Sequence, residues 1–415
     1  MRSVAVAGLF AGVVLLQACT SGAADPDKSG DMAGGTGTGT ATGGASAGGA
    51  TTGGTTTGGT TGTTAGGGAP DDKLCHPAGS AWYCLTAIED ASGQPLPPGV
   101  PVAMNDHGDV LFAQRISSDQ APPIDSGWLW RDGIVTQLPD GFAPTGLNNA
   151  PSIVGMSTQT LTTSWWHDGQ LQALRSPGAT YAIAHAISDD GHIAGAATYR
   201  SVINGQSLHT TGAVLWNDPS ADPVALGSSA VCDIAEGLAL TPQQVVAGYH
   251  TTDNRGGHDS ACDAQGQARS AVSWSGGEET VLEPGAAFRP ATLAAIAISD
   301  DASQVLVSGV PQEISHVIGV DGSEGARALG PAGDIYLPAN TIRRPNGDQF
   351  PLSDPATVDA PPGWDLGTID RDTLAPPLRL RWIIGFDRLG RMFGVAERDG
   401  TPAPFVLTPA GVELP

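Results

Sequence analysis

The sequence predicts an all-β protein whose strands form a β-propeller of six or seven four-stranded blades. Three observations favour this fold. A polar turn motif recurs along the chain, short apolar strands surround each copy of it, and Gly and Pro are abundant, at 58 and 32 of 415 residues. Repeats of about 40–50 residues with several short strands each are typical of propellers. The propeller domain is expected to span residues 71–415.

Each repeat begins with a short apolar step and a polar turn. Asn105-Asp106 and Asn148-Asn149 open the turns of the first two copies, and Ser188-Asp189 opens the third. Such residues tolerate the left-handed backbone that a tight hairpin requires. The copies lie at residues 103–111, 146–155, 186–195, 237–248, 297–307 and 385–394.

The third strand of the first four copies carries tryptophan. We expect these side chains to pack between blades rather than to stack on sugars, because large aromatic residues at a repeated strand position usually form core. They are Trp128, Trp130, Trp165, Trp166, Trp216 and Trp274.

The ends of the repeat array are less regular. A short last strand is expected at 328–330 in the fifth copy, and the strand near Tyr83 is expected to complete the last blade. Residues 334–381 contain no clear copy. They form either a seventh, degenerate blade or a long Pro-rich loop.

The turn motif followed by Val-Gly, as at Val154-Gly155, resembles the repeats of the extracellular HAF-repeat proteins. The segment 82–88 is similar to the strand that opens such arrays, and the resemblance covers most of residues 82–415. The His-Ala-Phe triplet itself is absent, since the third strand reads Gly-Trp-Leu-Trp in the first copy. The resemblance implies an exported β-repeat protein and brings no catalytic residues.

The N-terminus has the pattern of an export signal. Residues 1–18 contain Arg2, an apolar run and a small residue before Cys19, which is the layout of a secretory signal peptide. The string Leu16-Gln17-Ala18-Cys19 resembles a bacterial lipobox, which implies that Cys19 is lipidated and becomes the new N-terminus. An ordinary signal peptide with an incidental cysteine is the alternative.

Residues 19–70 predict a lipid-anchored, disordered linker. They consist almost wholly of Gly, Thr, Ala and Ser, which cannot bury enough apolar surface to fold. Thr20 rather than Asp follows the cysteine, and by the resemblance to lipoproteins this favours the outer membrane. The domain would then face the periplasm or the cell surface.

The charge of the chain excludes two classes of partner. The formal net charge is −23 and charged residues make up only 15% of the sequence. Nucleic acid and anionic lipid surfaces would repel such a domain. Its contact with the membrane is therefore expected through the N-terminal lipid.

Four further cysteines predict two disulfides in an exported protein. If each cysteine pairs with the one nearest to it in sequence, the disulfides are Cys75–Cys84 and Cys232–Cys262, although three connectivities are possible. A zinc site is the alternative for the second pair, because His250 and His258 lie between its cysteines. Their spacing matches no standard zinc module, so no metal and no cofactor are predicted.

No motif for a nucleophile, a phosphate loop or a metalloprotease occurs, so no catalytic residue is predicted. The insertion 252–259 is the best candidate for a polar site, with a surface loop as the simpler interpretation. His107, His167 and His192 lie near equivalent turns. If they clustered around one opening they would favour an enzyme, whereas outward-facing hairpin tips would not.

These observations predict a non-catalytic binding or interaction module at the cell envelope, with an unknown envelope protein or glycan as its partner. A polysaccharide-acting propeller enzyme, either a lyase or a hydrolase, is one alternative. A structural envelope protein is the other.

Overall fold

The computed structural model describes residues 74–415 except 97–98, 119–120, 161, 204–205, 228–232, 253–267, 283–291, 311–314, 339, 353, 355 and 366–382. The described residues form 29 strands and no helix, which confirms the all-β class. None of them therefore forms a helix that could cross a membrane. The predicted signal peptide, Cys19, the linker, Cys232 and Cys262 lie outside the described residues.

The strands of the N-terminal half have between two and eleven residues, and most of them end at Gly- or Asp-containing turns. They are β1 (Tyr83–Ala87), β2 (Val100–Met104), β3 (Val110–Ser118), β4 (Ala121–Arg131), β5 (Ile134–Gln137), β6 (Phe142–Leu147), β7 (Ile153–Ser157), β8 (Thr162–His167), β9 (Gln170–Ala173), β10 (Ala179–Ile187), β11 (Ile193–Ile203), β12 (Gln206–Trp216) and β13 (Val224–Ala225).

The C-terminal half continues in the same way. Its strands are β14 (Ile234–Leu240), β15 (Val246–Thr252), β16 (Ala268–Ser275), β17 (Glu278–Val281), β18 (Thr292–Ile298), β19 (Val305–Val310), β20 (Ser315–Ile318), β21 (Ala328–Leu329), β22 (Ile335–Leu337), β23 (Thr341–Arg343), β24 (Gln349–Pro351), β25 (Val358–Asp359), β26 (Trp364–Asp365), β27 (Ile383–Phe386), β28 (Met392–Arg398) and β29 (Thr401–Pro409).

The strands hydrogen-bond into five sheets, so the prediction of six or seven separate four-stranded blades is wrong. Three sheets have four strands, one has six and one has eleven. The largest sheet arises because two single residue pairs, Thr211 with Ile234 and Arg269 with Thr292, join successive groups of strands. Sequence cannot reveal such joints, because each depends on how close two neighbouring strands approach.

Within these five sheets the up-and-down strand group occurs seven times, and we number the groups as repeat units. Unit 1 is β2–β5, unit 2 is β6–β9, unit 3 is β10–β13, unit 4 is β14–β17, unit 5 is β18–β20, unit 6 is β21–β24, and unit 7 is β27–β29 with β1. The first strand of each unit contacts the first strand of the next, and β27 contacts β2. The first strands thus form a closed ring, which is the arrangement of a β-propeller.

Unit 6 explains the irregular C-terminal part of the repeat array, where no clear copy of the turn motif was found. Residues 328–329 were expected to close the fifth copy, but they pair with β22 and begin the sixth unit instead. The strands β22, β23 and β24 continue this sheet into the segment where a degenerate blade or a Pro-rich loop was predicted. Its first part is therefore sheet.

The ring is closed by strand exchange, as predicted. β1 lies antiparallel to β29, from Tyr83 opposite Pro409 to Ala87 opposite Phe405. The disulfide Cys75–Cys84, which was also predicted, ties β1 to the segment before it. That segment is held in turn by hydrogen bonds between Cys75 and the C-terminal residues Gly411 and Val412.

The core consists of apolar layers between neighbouring units. Leu111 and Leu129 of unit 1 pack with Phe142 and Ile153 of unit 2, and similar clusters separate the following units. Five of the six predicted tryptophans are buried in or beside these layers, which confirms them as core. They are Trp128, Trp130, Trp166, Trp216 and Trp274.

We expect removal of the Cys75–Cys84 disulfide to lower the free energy of unfolding by about 2–3 kcal/mol, because the closed loop restricts the unfolded chain. Urea unfolding of the Cys75→Ala, Cys84→Ala double variant measures this. Substitution is preferable to a reductant, which would also reach other cysteines. An unchanged unfolding midpoint would show that β1 is held by its strand pairing alone.

Candidate functional site

One end of the ring, which we call the turn end, is built from the turns between the first and second strands of the units. The N–H of Asn105 donates to the C=O of Asp109 at 3.1 Å, and Ser188 and Asp387 make the same bond to His192 and Arg391. Side chains reinforce the turn, as where Asn105 Oδ1 accepts the N–H of Asp109 at 3.0 Å. The second turn residue is therefore held at an equivalent position in each unit.

Arg388 occupies this position in unit 7 and joins three other units. Its Nη1 lies 3.3 Å from Asp106 Oδ2, and its Nε lies 2.6 Å from Asp300 Oδ2. The same Nη1 also pairs with Asp189. Units 1, 3 and 5 thus meet on one guanidinium, and we call these four residues the Arg388 cluster.

A second set of hydrogen bonds runs around the turn end. The backbone N–H of Arg388 donates to Asp106 Oδ1 at 3.0 Å, and that of Asp106 donates to Asn149 Oδ1 at 2.7 Å. Asn149 then donates from its backbone to Asp189 Oδ1 at 2.9 Å. The turns of units 7, 1, 2 and 3 are therefore tied together in series, and Arg388 adds the turn of unit 5.

The electrostatics of the cluster favour its ionised form. Burial opposes ionisation of Asp189, but the hydrogen bonds from Asn149 and the charge of Arg388 outweigh it and lower the pKa of this carboxyl group. Burial likewise opposes the charge of Arg388, while Asp189 and Asp300 raise the pKa of the guanidinium. These groups are satisfied by each other, which is typical of a structural brace.

Buried ion pairs also support the bases of the turns. Asp387 accepts from Arg391 Nε at 2.5 Å, and burial raises the pKa of Asp387 although Arg391 opposes the rise. Asp334 Oδ1 lies 3.0 Å from Arg344 Nη1. Burial raises the pKa of Asp334 as well, and the charge of Arg344 opposes that rise. Each of these two carboxylates is thus bound by an arginine side chain.

The three turn histidines do not form a site. His107 is exposed in its turn, His167 Nδ1 lies 2.9 Å from Ser152 Oγ, and His192 Nε2 lies 2.9 Å from Gln244 Nε2. Among the contacts of the described residues, none joins two of these histidines. They lie in separate turns, and only His107 is fully exposed.

The opposite end, which we call the hairpin end, carries the turns between second and third strands. β3 continues for residues 114–118 beyond its pairing with β2, and β11 continues for 200–203 beyond its pairing with β10. β7 of unit 2 has no such extension. At about 3.3 Å per residue, these extensions of units 1 and 3, which we call the arms, are roughly 13–17 Å long. Unit 2, which lies between those units and lacks an extension, is called the notch.

Unit 4 contributes further ionisable side chains below the hairpin end. His185 Nε2 of unit 3 lies 3.3 Å from Glu236 Oε2 on β14, and both side chains are buried. Tyr249 lies opposite Glu236, and the Arg269 guanidinium is 4.1 Å from the centre of the Tyr249 ring. Burial and then the charge of Glu236 raise the pKa of Tyr249. Sequence patterns did not single out this group, because its members come from four different strands.

A second group lies on the same sheet. His250 Nδ1 is 2.9 Å from Glu279 Oε1, and His250 Nε2 is 3.5 Å from Asp233 Oδ2. No set of three or more His, Cys, Asp or Glu side chains with metal-binding geometry occurs in the part of the chain that the structure describes. Of the insertion 252–259, only Thr252 falls within the described residues, so that candidate site is untested.

Comparisons with known proteins give distant fold resemblances only. No family model and no curated protein matches the chain. It resembles the Pyrococcus horikoshii acylaminoacyl peptidase at a TM-score of 0.40 and 10% identity, over 75% of this chain and 51% of that one, so it spans about half of that protein.

Two further solved structures are similar at the same level. The β-propeller domain of the Trilobed protease from Pyrococcus furiosus has a TM-score of 0.39 and 10% identity, over 80% of this chain and 94% of that one. YCF48 bound to D1 peptide has a TM-score of 0.38 and 9% identity, over 80% and 96%. Scores of this size carry no argument about activity, and the propeller fold is shown by the strand pairing.

We expect Arg388→Gln to lower the free energy of unfolding at pH 7 by about 1–2 kcal/mol, because three carboxylates lose their shared cation in a partly exposed site. Since the pKa of Asp189 is lowered, this stabilisation is present above about pH 4 and is lost as the pH falls through the folded-state pKa. Urea unfolding at pH 7 and pH 3 measures it.

The matched control is Arg175→Gln, which removes an exposed ion pair with Asp222. We expect that change to cost less than about 0.5 kcal/mol at either pH. Equal effects of the two substitutions would show that the Arg388 cluster is no brace.

Proposed function

We propose that this chain is an exported, lipid-anchored β-propeller that binds a partner protein or glycan at the cell envelope through its hairpin end, without catalysis. The observation that carries this is the asymmetry of the ring. The Arg388 cluster closes the turn end with groups that satisfy one another, whereas two arms and a notch shape the hairpin end.

The chemistry of the notch supports recognition of an uncharged, hydrogen-bonding partner. Residues 157–166 of unit 2 contain no ionisable side chain, in a chain with 42 acidic residues. Gln159, Thr160 and Thr162 are exposed there. Such a surface offers amide and hydroxyl groups without the repulsion that the net charge exerts elsewhere on anionic ligands.

The arm of unit 3 offers an apolar contact next to this notch. Val202 is 68% exposed near the end of β11. Exposed apolar side chains on a projecting hairpin are suited to a partner interface. The turns at Asn105 and Ser188, which carried the resemblance to the HAF-repeat proteins, are formed in the structure, and membership of that family is part of what we propose.

A propeller enzyme that acts on polysaccharide is the second candidate. It is favoured by one observation, the buried His185–Glu236 pair between the first strands of units 3 and 4, because a His beside a carboxylate can serve as an acid or base. A structural envelope protein without a discrete ligand is the third.

We expect the full mature chain, immobilised through a C-terminal tag, to retain a specific envelope protein or an uncharged polysaccharide. Val202→Glu should weaken retention roughly tenfold, because it places a charge in the interface. Ile134→Glu is the matched control, since Ile134 is 63% exposed on a hairpin at the turn end, and it should retain the partner as the wild type does.

The other outcomes contradict the proposal in different ways. Polysaccharide that elutes shortened would establish the enzyme. Equal loss of binding in both variants would place the interface elsewhere, and retention no better than that of an unrelated acidic propeller would favour the structural role.

Lipidation is tested separately. We expect the wild-type chain, expressed in a bacterial host with a labelled fatty acid, to incorporate label and sediment with membranes. Cys19→Ser should lose both, because one lipid anchor holds the domain, whereas Ser21→Ala should lose neither. Label-free wild-type protein in the soluble fraction would identify residues 1–18 as an ordinary signal peptide.

A further inference from the structure

The hairpin end of unit 2 presents hydroxyl and amide groups to the solvent. Thr160 Oγ1 lies 2.7 Å from Thr162 Oγ1, and both side chains are exposed. Gln159 is exposed beside them in the chain. A threonine hydroxyl both donates and accepts hydrogen bonds, and so does a glutamine amide. Such groups match a ligand that itself carries donors and acceptors together.

Unit 3 adds an aromatic side chain at its border with unit 2. Tyr199 of β11 packs against the layer that contains Val154 and Trp165, so it lies on the side of the arm that faces the notch. Thr210 is opposite Tyr199 in the strand register and therefore shares that side. Tyr199 is only partly buried, so part of its ring is accessible. An aromatic ring near hydroxyl groups suits a sugar, which has an apolar face and a polar rim.

A buried hydroxyl at the same border lacks a partner. Thr163 is 1% exposed, and its Oγ1 forms no hydrogen bond with any described residue. Side chains alternate along β8, where Trp165 packs toward unit 3 and Trp166 toward unit 1, so Thr163 lies on the side of unit 3. A buried hydroxyl without a partner costs free energy. A ligand hydroxyl that enters between units 2 and 3 would satisfy it.

Charge narrows the class of ligand. Residues 157–166 contain no ionisable side chain, although the chain has a net charge of −23. An anionic polymer is repelled by such a protein, and a cationic one is drawn to its acidic residues rather than to this neutral segment. Partner proteins are usually held by central aromatic and apolar anchors, whereas the exposed side chains here are Gln159, Thr160 and Thr162. A neutral, hydroxyl-rich ligand fits best.

We propose that the notch and the adjoining side of unit 3 bind a neutral glycan. Tyr199 stacks on a sugar ring, Thr160 and Thr162 form hydrogen bonds with its hydroxyl groups, and Thr163 is the buried partner for one of them. This inference rests on the binding function proposed above and selects the glycan from its two classes of partner.

The test is calorimetric titration of the full mature chain with neutral hexasaccharides, namely those of maltose, cellobiose, laminaribiose and N-acetylated chitin type. We expect at least one of them to bind with an affinity that changes less than about twofold between about 50 and 500 mM NaCl, because no charge takes part. Hexamers of galacturonate and of glucosamine, which are charged, should bind at least about tenfold more weakly at the higher salt concentration.

The variants locate the site. Thr162→Asp should lower the affinity at least about tenfold, because it places a charge that the neutral ligand cannot compensate. Tyr199→Ala should lower it roughly tenfold, whereas Tyr199→Phe should keep it within about threefold because the ring remains. Thr280→Asp is the matched control, since Thr280 is also an exposed strand threonine but lies on β17 of unit 4. It should bind as the wild type does.

The outcomes separate this inference from the proposed function. Binding of no neutral hexasaccharide, or equal losses in Thr162→Asp and Thr280→Asp, would overturn the glycan site. If the immobilised chain still retained an envelope protein that Val202→Glu weakens, the binding function would stand and only the glycan assignment would fail. Unchanged urea-unfolding midpoints show that the variants fold, and Thr162→Asp decides the matter if Tyr199→Ala lowers its midpoint.

Discussion

β1 and β29 stand at opposite ends of the domain sequence, yet they lie side by side in unit 7. Every other unit draws its strands from one continuous stretch of chain, so it can form locally. Unit 7 cannot, because its outer strand comes from the N-terminus. The apolar layer that contains Tyr83, Leu85 and Leu407 is completed only when this pairing forms. Closure of the ring therefore couples the stability of all units to one long-range strand pairing.

At the turn end, distant parts of the chain are also brought together, but here by charged groups rather than by apolar packing. Arg388 belongs to the closing unit, and its carboxylate partners belong to units 1, 3 and 5. A single guanidinium can reach all three only because the turns converge on the ring centre. An acidic chain would otherwise place three carboxylates together without a cation, which is unfavourable. The brace thus makes a compact ring compatible with a strongly negative sequence.

The departures from the repeat are where specific chemistry is concentrated. Most inner layers contain small apolar residues such as Ala194, Ala213 and Ala247, whereas unit 4 buries His250, Glu236 and Tyr249 among them. Burial of polar groups costs folding free energy, and a repeating scaffold does not need them in order to form its core. Units 1 and 3 likewise depart from the repeat by lengthening one hairpin each. The scaffold is regular, and the features able to recognise a ligand are those that break its regularity.

The sequence by itself determined the local features of this protein. Asn105 and Ser188 predicted turns, and Trp216 and Trp274 predicted core positions. It also indicated closure through Tyr83 and the Cys75–Cys84 pair. These depend on residues close in sequence or on a pattern repeated along it, which local conformational preference and periodicity express directly.

Only the tertiary structure decided how the units meet. The fusion into five sheets follows from the approach of Thr211 to Ile234 and of Arg269 to Thr292. The meeting of Arg388 with Asp300, and the position of Asp233 and Glu279 around one imidazole, join strands and turns that no sequence spacing links. Such contacts are set by the curvature of the ring and the packing between sheets. A single sequence carries no local signal of either, because both emerge only when all units are assembled.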